Sequence, residues 1–144
     1  WAVLGWIGFS FLVVGGTDFA LTWFPPSFGN REWEFATVTQ SFNGLPIVLL
    51  GIGLLIVAAQ PLERAWWSWL GTAAALLLLL WLFAGLVLWA TNLPLALRTV
   101  PDNLALGLHK AVGKTLLQGV AYPVLLVYLV RRAVQAVRRD AREA

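Results

Sequence analysis

The residues that could do chemistry in this chain are few, and most stand in apolar surroundings. Asp18 lies six residues before Phe24 inside an apolar run, and Lys110, Lys114 and Gln118 recur at i, i+4 and i+8, a spacing that puts all three on one helix face. A carboxylate at bilayer depth must face protein or water and find a cation or a hydrogen-bond donor. Two roles fit this set: a proton or ion path, or a structural ion pair that fixes helix packing. A relay needs further acids or histidines across the bilayer, and residues 43–60 and 66–91 contain neither. The structural pair is therefore the stronger reading. Its expected form is Asp18 on Lys114 first, and on Lys110 or Arg31 second, because a lysine stem can lie along apolar surface while its ammonium seeks a partner.

His109 is the only histidine, and the chain has no cysteine and no methionine. One imidazole can serve as the axial ligand of a chlorin, so His109 is the candidate cofactor-binding residue. Bis-ligated haem, thiolate metal sites, thiol nucleophiles and multi-histidine metal sites have no residues to build them. The alternative for His109 is a hydrated histidine at the membrane interface beside Lys110. No Ser/His/Asp set, phosphate-cradling glycine loop or metal-ligand spacing is found, so no catalytic residue is assigned. An enzyme is not expected, and no cofactor is expected in this chain alone, although a pigment or lipid of a partner complex is a candidate contact.

The elements that must position these residues follow from composition. Of 144 residues, 60% are hydrophobic and 12% charged, with mean hydropathy +0.78, whereas a soluble domain has roughly 45–50% apolar and about 25% charged residues. Four apolar runs are separated by proline and charge, giving expected spans at residues 1–24, 43–60, 66–91 and 112–131 and a basic tail at 131–144. Each run lacks the period-two alternation of a barrel strand, and in hydrocarbon a helix is then the element that satisfies its own backbone. The reading is an all-α integral membrane bundle of four transmembrane helices in one domain. Pro25-Pro26, Pro61, and Asn92-Leu93-Pro94 mark expected ends, and Pro123 a kink. Most of the nine tryptophans are read as interfacial anchors, with Trp81 facing lipid or another subunit. The many glycines allow close helix approach, and Gly71 with Ala75 forms a small-xxx-small pair.

Between the first two runs, Asn30 can cap a helix that carries Glu32 and Glu34 in its first turn, with Phe35, Val38 and Phe42 on one face. A short amphipathic helix on the outer surface, ended by Asn43-Gly44, is expected there. Asp102 can likewise start a helix that runs into the fourth span.

Five of the ten basic residues, Arg131, Arg132, Arg138, Arg139 and Arg142, follow the last apolar run. Their density excludes nucleic acid as the natural partner of the positive charge and favours a cytoplasmic flank. With both ends cytoplasmic, that side holds Arg64 and the five tail arginines, and the other side Arg31, Arg98, Lys110 and Lys114. The expected location is a bacterial cytoplasmic membrane. The chain begins at Trp1 within an apolar stretch, so either further residues upstream or a removed segment is expected.

The stretch Pro26-Ser27-Phe28-Gly29-Asn30-Arg31-Glu32-Trp33-Glu34-Phe35, followed by Gly44-Leu45-Pro46-Ile47-Val48-Leu49-Leu50-Gly51, resembles a pattern in bacterial membrane proteins that include the HpsJ-like proteins of cyanobacteria. There an Asn-x-x-Trp-Glu segment follows the first span and a Pro-x-x-x-x-Gly segment opens the second. The resemblance covers about a fifth of the chain, implies a link to polysaccharide secretion, and supplies no catalytic residue. The function expected from all these features is a non-catalytic accessory or assembly subunit of a larger membrane complex, respiratory or photosynthetic, with other membrane subunits and lipids as partners. The alternatives are a small oligomeric transporter or channel and a polysaccharide or lipid export component.

Overall fold

The computed structural model describes the backbone of residues 1–62 and 65–143 and the side chains of residues 1–60 and 66–135. Four helices follow one another: α1 (Ala2–Thr22), α2 (Arg31–Leu62), α3 (Ala65–Thr99) and α4 (Asp102–Glu143). Each is long and apolar enough to cross a membrane. The chain is an all-α four-helix bundle, as its apolar runs predict. Arg64, on which the topology count partly rests, lies outside the described residues, as do the side chains of Arg138, Arg139 and Arg142.

The helices run longer than the apolar runs that nucleate them. The expected surface segment is helical, and Asn30 caps it by accepting hydrogen bonds from the Glu32 and Trp33 backbone N–H groups at 3.1 and 3.2 Å. It is not a separate element, however, but the first three turns of α2. Val38 and Phe42 are fully buried in the bundle rather than turned to the membrane surface. Asn43-Gly44 does not end the helix, because Gly44 is held in α2 against α1, where the Asp18 carboxylate lies beside it. Likewise α3 passes through Asn92 and Pro94 and ends only at Thr99.

Helix α2 is the centre of the molecule. In its most apolar stretch 56% of residues are buried, against 17, 28 and 11% for α1, α3 and α4. Its stripe Val38, Phe42, Leu45, Leu49, Ile52 and Ile56 meets Ala75, Leu78, Leu82 and Trp89 of α3 and Leu126 of α4. Against α1 the backbones touch. A Cβ on Gly8 would stand 2.9 Å from the Gly51 carbonyl oxygen, and one on Gly51 would stand 2.8 Å from that of Gly8. Gly71 and Ala75 fulfil their small-residue role against α2, where a Cβ at position 71 would meet Ile56 at 2.9 Å. Helix α1 also reaches α3 through Trp6 on Trp67 and Phe19 on Trp81. Helix α4 packs on α3 and α2, so that the α2–α3 pair separates α1 from α4. Trp81 is thus a half-buried residue that packs on Phe19, Trp23 and Phe42 within the bundle, and Trp89 is buried rather than an interfacial anchor.

Pro46 sits inside α2 and has no N–H for the Phe42 carbonyl, which in an unbroken helix would accept from it. That carbonyl receives the Tyr122 hydroxyl of α4 at 3.4 Å, and the Gln118 side-chain amide donates to the Tyr122 oxygen at 2.8 Å. Gln118 therefore leaves the polar stripe of Lys110 and Lys114 and turns into the bundle. Tyr122→Phe is expected to lower unfolding stability in detergent by about 0.5–1.5 kcal/mol. In a Pro46→Ala background, where a backbone N–H restored at position 46 can donate to Phe42, the same change is expected to cost almost nothing. Equal losses in both backgrounds would show that the hydroxyl does not serve this carbonyl.

Candidate functional site

The polar groups that the fold brings together lie at the end of the bundle where α2 begins and α3 ends. Gly29 has φ +93°, a left-handed conformation that favours glycine, and this turns its N–H toward the following helix. Glu34 accepts that N–H on one carboxylate oxygen at 2.8 Å and the Asn92 amide on the other at 2.8 Å. The same amide nitrogen also donates to the Leu88 carbonyl at 3.0 Å. Glu34 and Asn92 are both buried. One turn further in, Trp89 donates its indole N–H to Thr39 at 3.2 Å and stacks on Phe35 with ring centroids 5.6 Å apart. Trp23 and Phe28 of the connection 23–30 pack on each other and on Trp33 of α2, and Trp23 donates to Ser41 at 3.0 Å.

Beside the Glu34–Asn92 pair is a cavity of about 320 Å³ between α2, α3 and the start of α4. Phe35, Leu95 and Leu108 give it apolar walls, with Arg31 and Glu32 on α2 and Asn92 on α3. Its chemistry is that of an amphipathic recess: an apolar body fits within, and a polar head would meet the guanidinium, the carboxylate or the Asn92 amide. Among the described residues no group of three or more His, Cys, Asp or Glu side chains is placed to hold a metal ion.

In the sequence Glu34 reads as a first-turn acid and Asn92 as a helix end, and neither stands out as a site residue. The signal was the helical period. Glu34 extends the buried row Val38, Phe42, Leu45 at i−4, and Asn92 extends Ala75, Leu78, Leu82, Trp89 at i+3. Asn92→Leu is expected to lower thermal stability by stripping a buried carboxylate of a donor. The Glu34→Leu/Asn92→Leu double variant should lose less than the sum of the two single ones. Strictly additive melting shifts would show that the two groups are not coupled.

The residues nominated from sequence are placed differently. Asp18, Lys110, Lys114, Arg31 and His109 are all exposed, and no ion pair joins any of them among the described residues. Asp18 lies against Gly44 on α2 and does not meet α4. The reason is depth as well as topology. Tyr122 stacks on Phe42 and is therefore level with the Asp18–Gly44 contact. Lys114 stands eight residues nearer the Glu34–Asn92 end, about 12 Å higher. Arg31, thirteen residues before Gly44, is about 20 Å higher and instead lines the cavity. Lys110 lies a further turn above Lys114. His109 places its Nδ1 2.6 Å from the Ala105 carbonyl of its own helix.

Compared with protein-family models, curated proteins and solved structures, the chain matches none.

Proposed function

We propose that this chain is a non-catalytic accessory or assembly subunit of a larger complex in a bacterial cytoplasmic membrane, with a respiratory or photosynthetic complex as its setting. The observation that carries this reading is the uneven cover of the bundle. Helix α4 is held along one narrow face: of its described side chains only Thr115, Leu126 and Ala133 are buried. Leu106, Leu117, Val120 and Val124 all face outward. Helix α1 likewise buries little besides the glycines that touch α2 and α3. These two open faces on opposite sides of a closely packed α2–α3 centre suit a part that other helices pack around. The arginines at positions 131, 132, 138, 139 and 142 favour a cytoplasmic C-terminus, and four helices then bring the N-terminus to the same side.

Purification from the native membrane in mild detergent tests the reading. The expected result is co-elution with other membrane subunits at a discrete mass well above 15.8 kDa. A homo-oligomer that conducts ions after reconstitution into liposomes would overturn it in favour of a channel.

A further inference from the structure

We propose that the face of α1 around Asp18 docks a partner transmembrane helix that carries a lysine or arginine at the depth of this carboxylate. The proposal rests on the subunit reading above and names the chemistry of one of its contacts.

The depth of Asp18 can be measured against its neighbours. It is level with Gly44 of α2, and Phe19, the next residue, packs on Trp81 of α3. From Trp81 the apolar run of α3 continues outward for nine residues to Ala90, about 13 Å. From Tyr122, also at this level, the apolar run of α4 continues for six residues to Leu116, about 9 Å. The carboxylate therefore lies some 9–13 Å inside the outer boundary of the apolar band. A side chain as short as that of aspartate cannot reach across this distance to the headgroups. It is nevertheless exposed on the outside of the bundle.

The other polar groups of α1 need nothing from outside. Ser10, Thr17 and Thr22 each donate to the backbone carbonyl four residues earlier, Trp6, Val13 and Asp18 respectively, at 2.8 to 2.9 Å. Asp18 alone has no donor for its side chain among the described residues. Its surroundings leave room for a packed helix. Val14 and Leu21 flank it on the exposed face, one turn away on either side, and Gly44 beside it has no side chain to block a long lysine or arginine stem. A carboxylate here is strongly unfavourable unless it meets a cation or donor, and the nearest cations among the described residues stand about 12 Å or more away in height. Among the described residues a second copy offers no cation at this depth either, and pairing two α1 faces would bring two carboxylates together.

The test uses the full chain, labelled with a fluorophore at Phe28→Cys, an exposed position in a chain without other cysteines, in phosphatidylcholine vesicles. Acceptor-labelled synthetic transmembrane peptides of leucine and alanine are added, one with a single lysine about 10 Å below its outer end and one with leucine there. Energy transfer is expected to show at least tenfold tighter association of the lysine peptide. That preference should vanish in Asp18→Leu and fall in Asp18→Asn, which keeps the side-chain shape and guards against misfolding. Equal association of both peptides, a preference that survives Asp18→Leu, or dimerisation through α1 without peptide would each overturn the proposal. Co-purification with native subunits can succeed while the peptide assay fails, in which case the inference falls and the subunit reading stands.

Discussion

Gly51→Leu is expected to detach α1 from the rest of the bundle. At this position the space for even one carbon is already taken. A Cβ would lie 2.8 Å from both the Gly8 carbonyl oxygen and the Leu12 nitrogen, and 3.2 Å from the Leu12 Cα. These are backbone atoms, so no rotamer change can relieve the contact and the helices must separate. Close backbone approach at small residues is a main source of attraction between transmembrane helices, since lipid supplies no hydrophobic drive between them. Gly51→Ala should cost about 1–3 kcal/mol, the usual range for overpacking, and leucine more. At Gly53, two residues on, a Cβ would meet no atom within 4 Å, so Gly53→Ala should instead gain about 0.5–1 kcal/mol of helix stability. Unfolding by titration with a denaturing detergent would check both. Similar effects at 51 and 53 would contradict the seam.

Trp67→Ala is expected to cost about 3–5 kcal/mol, the range for truncating a buried large aromatic residue. The ring is fully buried. It stacks on Trp66 at a centroid distance of 4.1 Å, meets Trp6 edge-on at 5.4 Å, and lies 3.4 Å from where a Cβ on Gly5 would be. It therefore ties α3 to the start of α1, and alanine would leave a hole lined on one side by a glycine. Trp67→Phe should cost far less, because the indole Nε1 has no hydrogen-bond partner among the described residues and only part of the ring is lost. Thermal unfolding of the two variants separates the cases. Comparable losses for phenylalanine and alanine would show that a single six-membered ring does not keep the contact.

The helices were legible because their cause is local. Runs such as Leu45 to Ala59 have no other way to satisfy their backbone in hydrocarbon. The Asn30 cap was equally legible, since a side-chain oxygen two or three residues before unpaired N–H groups acts within one turn. Helix ends were less so. Asn43-Gly44 and Asn92-Leu93-Pro94 favour termination, but packing of α1 against Gly44 and the use of Asn92 by Glu34 keep both segments helical. The polar contacts were the least legible. Asp18 and Lys114 lie on the same side of the proposed membrane topology, yet sequence does not say that α2 and α3 come between them. The Glu34–Asn92 pair spans 58 positions in the chain and is visible only through the helical period of its neighbours.

The glycine seam joins two consecutive helices across the short connection 23–30, and this gives the molecule an order of assembly. Synthesis releases α1 and α2 first, so the hairpin can close before α3 has left the ribosome. Helix α3 then finds a finished surface on α2, and α4 arrives last onto the narrowest foothold. A fragment ending at Gln60 should already hold its hairpin, and one ending at Thr99 should hold three helices. Of these four helices, α4 is thus the one that can be delayed, exchanged or captured by a neighbour without undoing what was built before it.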